Sequence, residues 1–146
     1  MQGERKGPVF ESPDRVGAPV FNRDGSQVIY WAKRGEKEFI LSGEKKGPEF
    51  DAIETPAFNR RTDQIAYRVR QDSTEFVMLD DRKGPEFDFD DSSRSRPLVF
   101  SPDGRQLAYR ARQEGKEFIL FGEKKEPAFD ELGDPVLSPD GGRLTY

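Results

Sequence analysis

Short apolar runs separated by polar turns follow one another along the chain, and residues 97–130 show the pattern clearly. An apolar run is followed by the turn sequence Ser-Pro-Asp-Gly at 101–104, in which proline presets φ, aspartate bonds to the turn backbone and glycine takes a positive φ. The residues after this turn alternate polar and apolar side chains, as a half-buried strand does. Two further strands follow polar turns, so the segment predicts a four-stranded antiparallel meander. The predicted strands, named a to d, cover residues 97–100, 106–112, 116–122 and 127–130.

The same pattern recurs along the chain. Four copies end in a tyrosine, and the spacings between these tyrosines are 37, 42 and 37 residues. A second motif, K-[GE]-P-x-F-[DE], also occurs four times, and a third, E-F-[IV], occurs three times. A period of this size indicates stacked or radially arranged supersecondary units, and roughly 40 residues is the length of one propeller blade. The tyrosines are Tyr30, Tyr67, Tyr109 and Tyr146; the second motif begins at Lys6, Lys46, Lys83 and Lys125, and the third at Glu38, Glu75 and Glu117.

The sequence Ser-Pro-Asp-Gly followed by RQLAY or GRLTY, with the EFIL strand after it, resembles the TolB-like (PD40) β-propeller repeats. The resemblance implies an all-β propeller of four-stranded antiparallel blades, with about four blades in this chain. Propellers of this kind occur in periplasmic translocation proteins and as gating domains of peptidases, so the resemblance is specific for the fold and not for a function. We predict one domain, 1–146, with blades at 18–53, 55–90 and 96–131 and complementary partial blades at 134–146 and 1–13.

The two partial blades predict self-assembly. Two chains that exchange these segments would form an eight-bladed ring, since most propellers hold more than four blades and open sheet edges associate readily. We therefore expect a homodimer; a four-bladed ring of one chain and a fragment of a longer propeller remain alternatives. The residues predicted to form the assembly segments are Gly7, Pro8, Phe10, Val136, Leu137, Leu144 and Tyr146.

Charge argues against some partners. The chain has 28 acidic and 24 basic residues and a net charge of −4, so a nucleic-acid partner is not expected. Apolar runs reach only about five residues, which predicts neither membrane insertion nor a signal peptide. The compartment is not determined by the sequence, and the resemblance allows the periplasm.

The chain lacks the usual catalytic residues. It contains no histidine and no cysteine, which removes the commonest general base, the thiolate nucleophile and the commonest transition-metal ligands. It also lacks a G-x-S-x-G motif and a glycine-rich phosphate loop. The acidic cluster at 88–91 matches the spacing of no calcium loop, so we interpret it as a solvated loop. We predict no enzymatic activity, no cofactor and no metal.

The motif Tyr-Arg-x-Arg supplies the candidate binding residues, Arg68, Arg70, Arg110 and Arg112. Either these arginines line a central channel, where they could bind a carboxylate or phosphate, or they are exposed alternate residues of strand b. Trp31 replaces the first arginine in the first copy, so a ring of arginines would be incomplete.

Three hypotheses about function remain. The favoured one is a non-catalytic scaffold or interaction module that self-assembles through its terminal half-blades, with a protein or peptide as a further partner. The second is a natural or engineered propeller fragment whose only properties are folding and assembly. The third is a carbohydrate- or peptide-processing enzyme that uses the central channel.

Overall fold

The computed structural model describes residues 15–17, 19–54, 56–59, 61–89 and 97–146. All regular secondary structure within these residues is β-strand. The strands form three antiparallel meanders and one hairpin, named sheets A to D in chain order. Sheet A contains β1 (Arg15–Val16), β2 (Val20–Phe21), β3 (Val28–Arg34), β4 (Lys37–Ser42) and β5 (Lys45–Lys46). Sheet B contains β6 (Ala52–Ile53), β7 (Ala57–Phe58), β8 (Ile65–Gln71), β9 (Thr74–Leu79), β10 (Arg82–Lys83) and β11 (Phe87–Asp88). Sheet C contains β12 (Val99–Phe100), β13 (Leu107–Gln113), β14 (Lys116–Phe121) and β15 (Lys124–Lys125), and sheet D contains β16 (Val136–Leu137) and β17 (Leu144–Thr145).

The long strands lie in the middle of each meander where the sequence predicts strands b and c, and the short strands flank them. The prediction of a half-buried strand b is wrong for β13, which is buried at five consecutive residues because both of its faces are covered. β3 pairs with β4, β8 with β9 and β13 with β14, each over six residue pairs.

The predicted strand a lies beside b, since β12 pairs with β13. The predicted strand d at 127–130 is wrong in its bounds, because β15 lies in the predicted turn before it and only Phe129 forms a bridge, with Glu117. In sheet B the outer strands are interrupted. β6 and β7 both pair with β8, and β10 and β11 both pair with β9. Pro56 and Pro85 lie in these two gaps, and proline has no N–H to donate to the ladder.

The turn that joins strands a and b has the predicted chemistry. Gly25, Gly104 and Gly141 have φ values of 75°, 74° and 73°, a region that favours glycine. The Oδ1 atom of Asp103 accepts a hydrogen bond of 3.0 Å from the backbone N–H of Arg105. In the second copy, which has no glycine here, Asp63 takes the left-handed conformation with a φ of 60°. Aspartate tolerates this region better than most residues, so the turn keeps its form.

The hydrophobic core lies between successive sheets. Ile29 and Ile40 of sheet A pack against a cluster that contains Tyr67, Phe76 and Met78 of sheet B. On the opposite face of sheet B, a second cluster joins it to sheet C, because successive side chains of a strand point to opposite faces. In that cluster the rings of Phe87 and Phe118 meet edge to face at 5.3 Å between centroids.

The fold is therefore all-β and built from antiparallel sheets, of which A, B and C pack face to face in chain order. The closed ring and the number of blades remain predictions. Gly7, Pro8 and Phe10 of the predicted assembly segments lie outside the described residues.

Candidate functional site

Arg68, the first arginine of the motif in sheet B, lies in the protein interior. Its side chain and that of Glu75 are each 2% exposed, and its Nη1 lies 3.2 Å from Oε1 of Glu75. Its Nη2 donates a hydrogen bond of 3.0 Å to the carbonyl oxygen of Arg110 in sheet C. Its guanidinium also lies 5.5 Å from the ring centroid of Tyr109. One buried cation thus joins β8 and β9 within sheet B and connects this sheet to sheet C.

Arg110 likewise connects sheet C to the following segment of the chain, which leads into sheet D. Its Nη1 donates to the carbonyl oxygen of Leu132 at 3.2 Å and to Oδ1 of Asp134 at 3.0 Å. The backbone N–H of Leu132 in turn donates to Oε2 of Glu117 at 2.6 Å. The chain that leads into sheet D is therefore held by a buried arginine and a buried glutamate of sheet C.

The first copy shows what changes when tryptophan replaces the arginine. The indole N–H of Trp31 donates to Oε2 of Glu38 at 3.0 Å, and the N–H of Ile53 donates to the same oxygen at 2.5 Å. The glutamate keeps its contact with the next segment of the chain, while the neutral indole takes the place of the guanidinium. The glutamate of the E-F-[IV] motif is thus a recurrent link between consecutive units.

The four predicted arginines fall into two classes. Arg68 and Arg110 are buried, whereas Arg70 and Arg112 are exposed. The first two already bond to internal partners, and that role was missed when the sequence was interpreted. A signal was present, because an E-F-[IV] glutamate follows the arginine or Trp31 by seven residues in each of three copies. That these arginines together bind an anion in a channel stays a prediction.

Sheet D exposes the remaining residues of the predicted assembly segments. Leu137 and Leu144 are half-buried, and the ring of Tyr146 lies 6.5 Å from that of Phe129. On the opposite face, the side chain of Val136 is 59% exposed. The equivalent face of sheet C is covered, since Ala108 there is fully buried.

Sheet A exposes the complementary face. Phe21 in β2 is 61% exposed, and Val16 in β1 is also exposed. In sheet B the equivalent residues, Phe58 and Ile53, pack against the cluster shared with sheet A. The apolar face of sheet B that packs against sheet A thus has an exposed equivalent on the outer side of sheet A.

Two equivalent grooves open between successive sheets. The first lies between sheets B and C and has a volume of about 620 Å³; Val77, Leu79 and Leu107 supply its apolar lining. The charged residues at this groove are Arg82, Lys83, Arg105 and Glu123. The second lies between sheets A and B and has a volume of about 370 Å³. Its charged residues are Lys45, Asp63, Asp80 and Asp81, so the two grooves carry opposite net charge.

A buried tyrosine lines each groove. Tyr109 lines the larger groove and Tyr67 the smaller, and neither hydroxyl has a hydrogen-bond partner among the described residues. Burial raises the pKa of Tyr109 to about 12, although the nearby Arg68 guanidinium opposes this. Burial, with Asp81 and Asp80 nearby, raises the pKa of Tyr67 to about 12. Both hydroxyls therefore stay protonated at neutral pH and can donate a hydrogen bond.

The acidic cluster at 88–91 lies partly outside the described residues. Asp88 within it stabilises the turn that contains Glu114. Its Oδ2 accepts a hydrogen bond of 2.8 Å from the backbone N–H of Glu114. Within the part of the chain that the structure describes, no group of three or more acidic residues is arranged to hold a metal ion. In the same residues there is no helix of the length and apolar character that a membrane span requires.

The chain was compared with protein-family models, with curated proteins and with solved structures. None of the three comparisons found a match.

Proposed function

We propose that this chain is a non-catalytic interaction module that self-assembles, with the outer face of sheet D of one copy against the outer face of sheet A of another. The observation that carries this proposal is the exposure of apolar residues on these two faces. Val136 on sheet D and Phe21 on sheet A are both more than half exposed. Their equivalents at the internal sheet contacts, Val99 on sheet C and Phe58 on sheet B, are half-buried.

The repeat makes the two faces complementary. One face of sheet A packs on the facing side of sheet B, and the opposite side of sheet B packs on sheet C in the same way. The outer face of sheet D corresponds in the repeat to the face of sheet A that contacts sheet B. The outer face of sheet A corresponds to the face of sheet B that contacts sheet A, so the two outer faces can form a contact of the same kind. Two copies joined head to tail at both ends would form a closed ring with twofold symmetry, which stops growth at the dimer.

The edge of β17 supports the same arrangement. In sheet C, the equivalent strand β13 pairs with β14 along its full length. β17 pairs with β16 and with no other strand among the described residues, and in the proposed assembly its other edge would pair with a strand of the second copy. An exposed strand edge is a template for pairing with another chain.

Light scattering on a sizing column tests the proposal. One chain has a mass of 16.7 kDa, and the proposal predicts a mass of about twice this value. Replacing Val136 with lysine should convert the dimer to a monomer, because a charge would be buried in the contact. The matched control is Gln113→Lys, which adds the same charge at an exposed position of β13, away from both end faces. A monomeric wild-type protein, or a V136K variant that stays dimeric, would refute the proposal.

A further inference from the structure

The groove between sheets B and C has the dimensions and lining of a binding site. Its volume of about 620 Å³ lies within the range of typical ligand pockets, roughly 300–1,000 Å³. Its apolar lining comes from the facing strands β9 and β13, and the Gly84-Pro85 turn forms part of its wall. The groove therefore has the volume and the apolar walls to hold an apolar side chain between the two sheets.

The charge around this groove is mostly positive. Arg82 is the first residue of β10 and Arg105 lies in the turn before β13, and both are exposed. Neither guanidinium forms an ion pair with a described residue, whereas the third cation, Lys83, is paired with Glu86. Glu123 is the acidic residue at the groove. Each of these two guanidinium groups can bind a carboxylate through two parallel hydrogen bonds.

The hydroxyl of Tyr109 adds an uncharged donor inside the groove. The side chain is only 6% exposed, yet its hydroxyl has no hydrogen-bond partner among the described residues. This hydroxyl lines the groove and is not among the buried side-chain atoms that lack a partner, so it is accessible there and can donate to a ligand acceptor. The hydroxyl lies close to Gly84, where an added Cβ would come within 3.7 Å of it.

We infer that this groove binds an acidic peptide in an extended conformation, with an apolar side chain against Val77 and Leu107 and carboxylates on Arg82 and Arg105. The Tyr109 hydroxyl donates to a backbone carbonyl of the peptide. The groove between sheets A and B does not share this specificity, because Asp63, Asp80 and Asp81 would repel the same carboxylates. The inference does not depend on self-assembly, since the groove is formed within one chain.

The test uses a short peptide of alternating aspartate and leucine, labelled with a rhodamine dye, and measures fluorescence anisotropy against the full chain. We expect saturable binding that weakens as salt is added, because exposed charge pairs are screened. The R82E/R105E double variant should lose detectable binding. Tyr109→Phe should weaken binding about fivefold, the effect of one lost hydrogen bond of about 1 kcal/mol.

Two controls make the result specific. Tyr67→Phe removes the equivalent hydroxyl from the other groove and should leave binding unchanged. A peptide with asparagine in place of every aspartate should not bind. The thermal midpoint of each variant shows that it is folded, and Arg82 and Arg105 are exposed, so their replacement leaves the core intact. Affinity weaker than about 1 mM for the acidic peptide, equal binding of the asparagine peptide, or equal weakening by the two tyrosine variants would overturn the inference.

Discussion

Replacing Arg68 with methionine should strongly destabilise the protein, because Glu75 would then be left as a buried charge without its cation. The two side chains lie 3.2 Å apart and are each 2% exposed. At this distance two unit charges attract by about 5 kcal/mol if the effective dielectric constant is about 20. Much of this attraction offsets the desolvation of the two ions, so the net value of the pair is small. Removing one partner alone is different, and typically costs about 3–5 kcal/mol.

Urea unfolding followed by circular dichroism measures this cost. Domains are commonly stable by about 5–15 kcal/mol, so a loss of this size should lower the unfolding midpoint substantially. The R68M/E75M double variant should be more stable than R68M, since it no longer buries an uncompensated carboxylate. The matched control is Arg70→Met on the same strand, where the guanidinium is exposed, and we expect a change of less than about 1 kcal/mol. A loss below about 1 kcal/mol for R68M, or a double variant less stable than R68M, would refute the reasoning.

Three further predictions concern the ionisation of Tyr109, the glycine at position 84 and the buried ring of Phe118. Burial raises the pKa of Tyr109 to about 12, so in a spectrophotometric titration this phenol should ionise well above the usual tyrosine pKa of about 10. Because the folded-state pKa values of Tyr109 and Tyr67 are both raised, stability should be constant below pH 10 and fall between about pH 10 and 12, as measured by urea midpoints; a flat profile there would contradict both assignments. Gly84→Ala should cost about 1–3 kcal/mol, since the new methyl would lie 2.9 Å from the carbonyl oxygen of Val77, and an unchanged melting midpoint would disprove this. Phe118→Ala should cost about 3–5 kcal/mol because the ring is buried, whereas Phe129→Ala, at a half-exposed site, should cost much less, and calorimetry that gave equal losses would argue against the packing described.

The secondary structure could be predicted from the sequence because its signals are local. Alternation along residues 106–112 and the Ser-Pro-Asp-Gly turn each depend on neighbouring residues, and both appear in the structure as β13 and its preceding turn. The interruptions of the outer strands follow from prolines that were visible in the sequence, although their effect on pairing depends on which neighbour each strand meets. The positive φ of Asp63 could be anticipated only by analogy with the glycine of the other copies.

The candidate sites were less predictable because they depend on contacts between units. Arg68 and Arg70 are two residues apart and face the same side of β8, yet only the first lies where sheet C covers it. Alternation assigns a side chain to a face of a strand and cannot give its depth along the packed interface. The grooves were missed for a related reason, since the walls of the larger one come from the Gly84-Pro85 turn of one unit and Tyr109 of the next.

The buried arginines contact the following part of the chain through main-chain carbonyl groups. Arg68 donates to the carbonyl of Arg110, and Arg110 donates to that of Leu132. Every residue type carries such a carbonyl, so neither of these two hydrogen bonds requires a particular side chain in the partner. A unit duplicated within the gene would bring its own means of attachment to whichever unit came after it. Copies could then diverge in their exposed residues, as the opposite charges of the two grooves illustrate, without compensating changes in their neighbours.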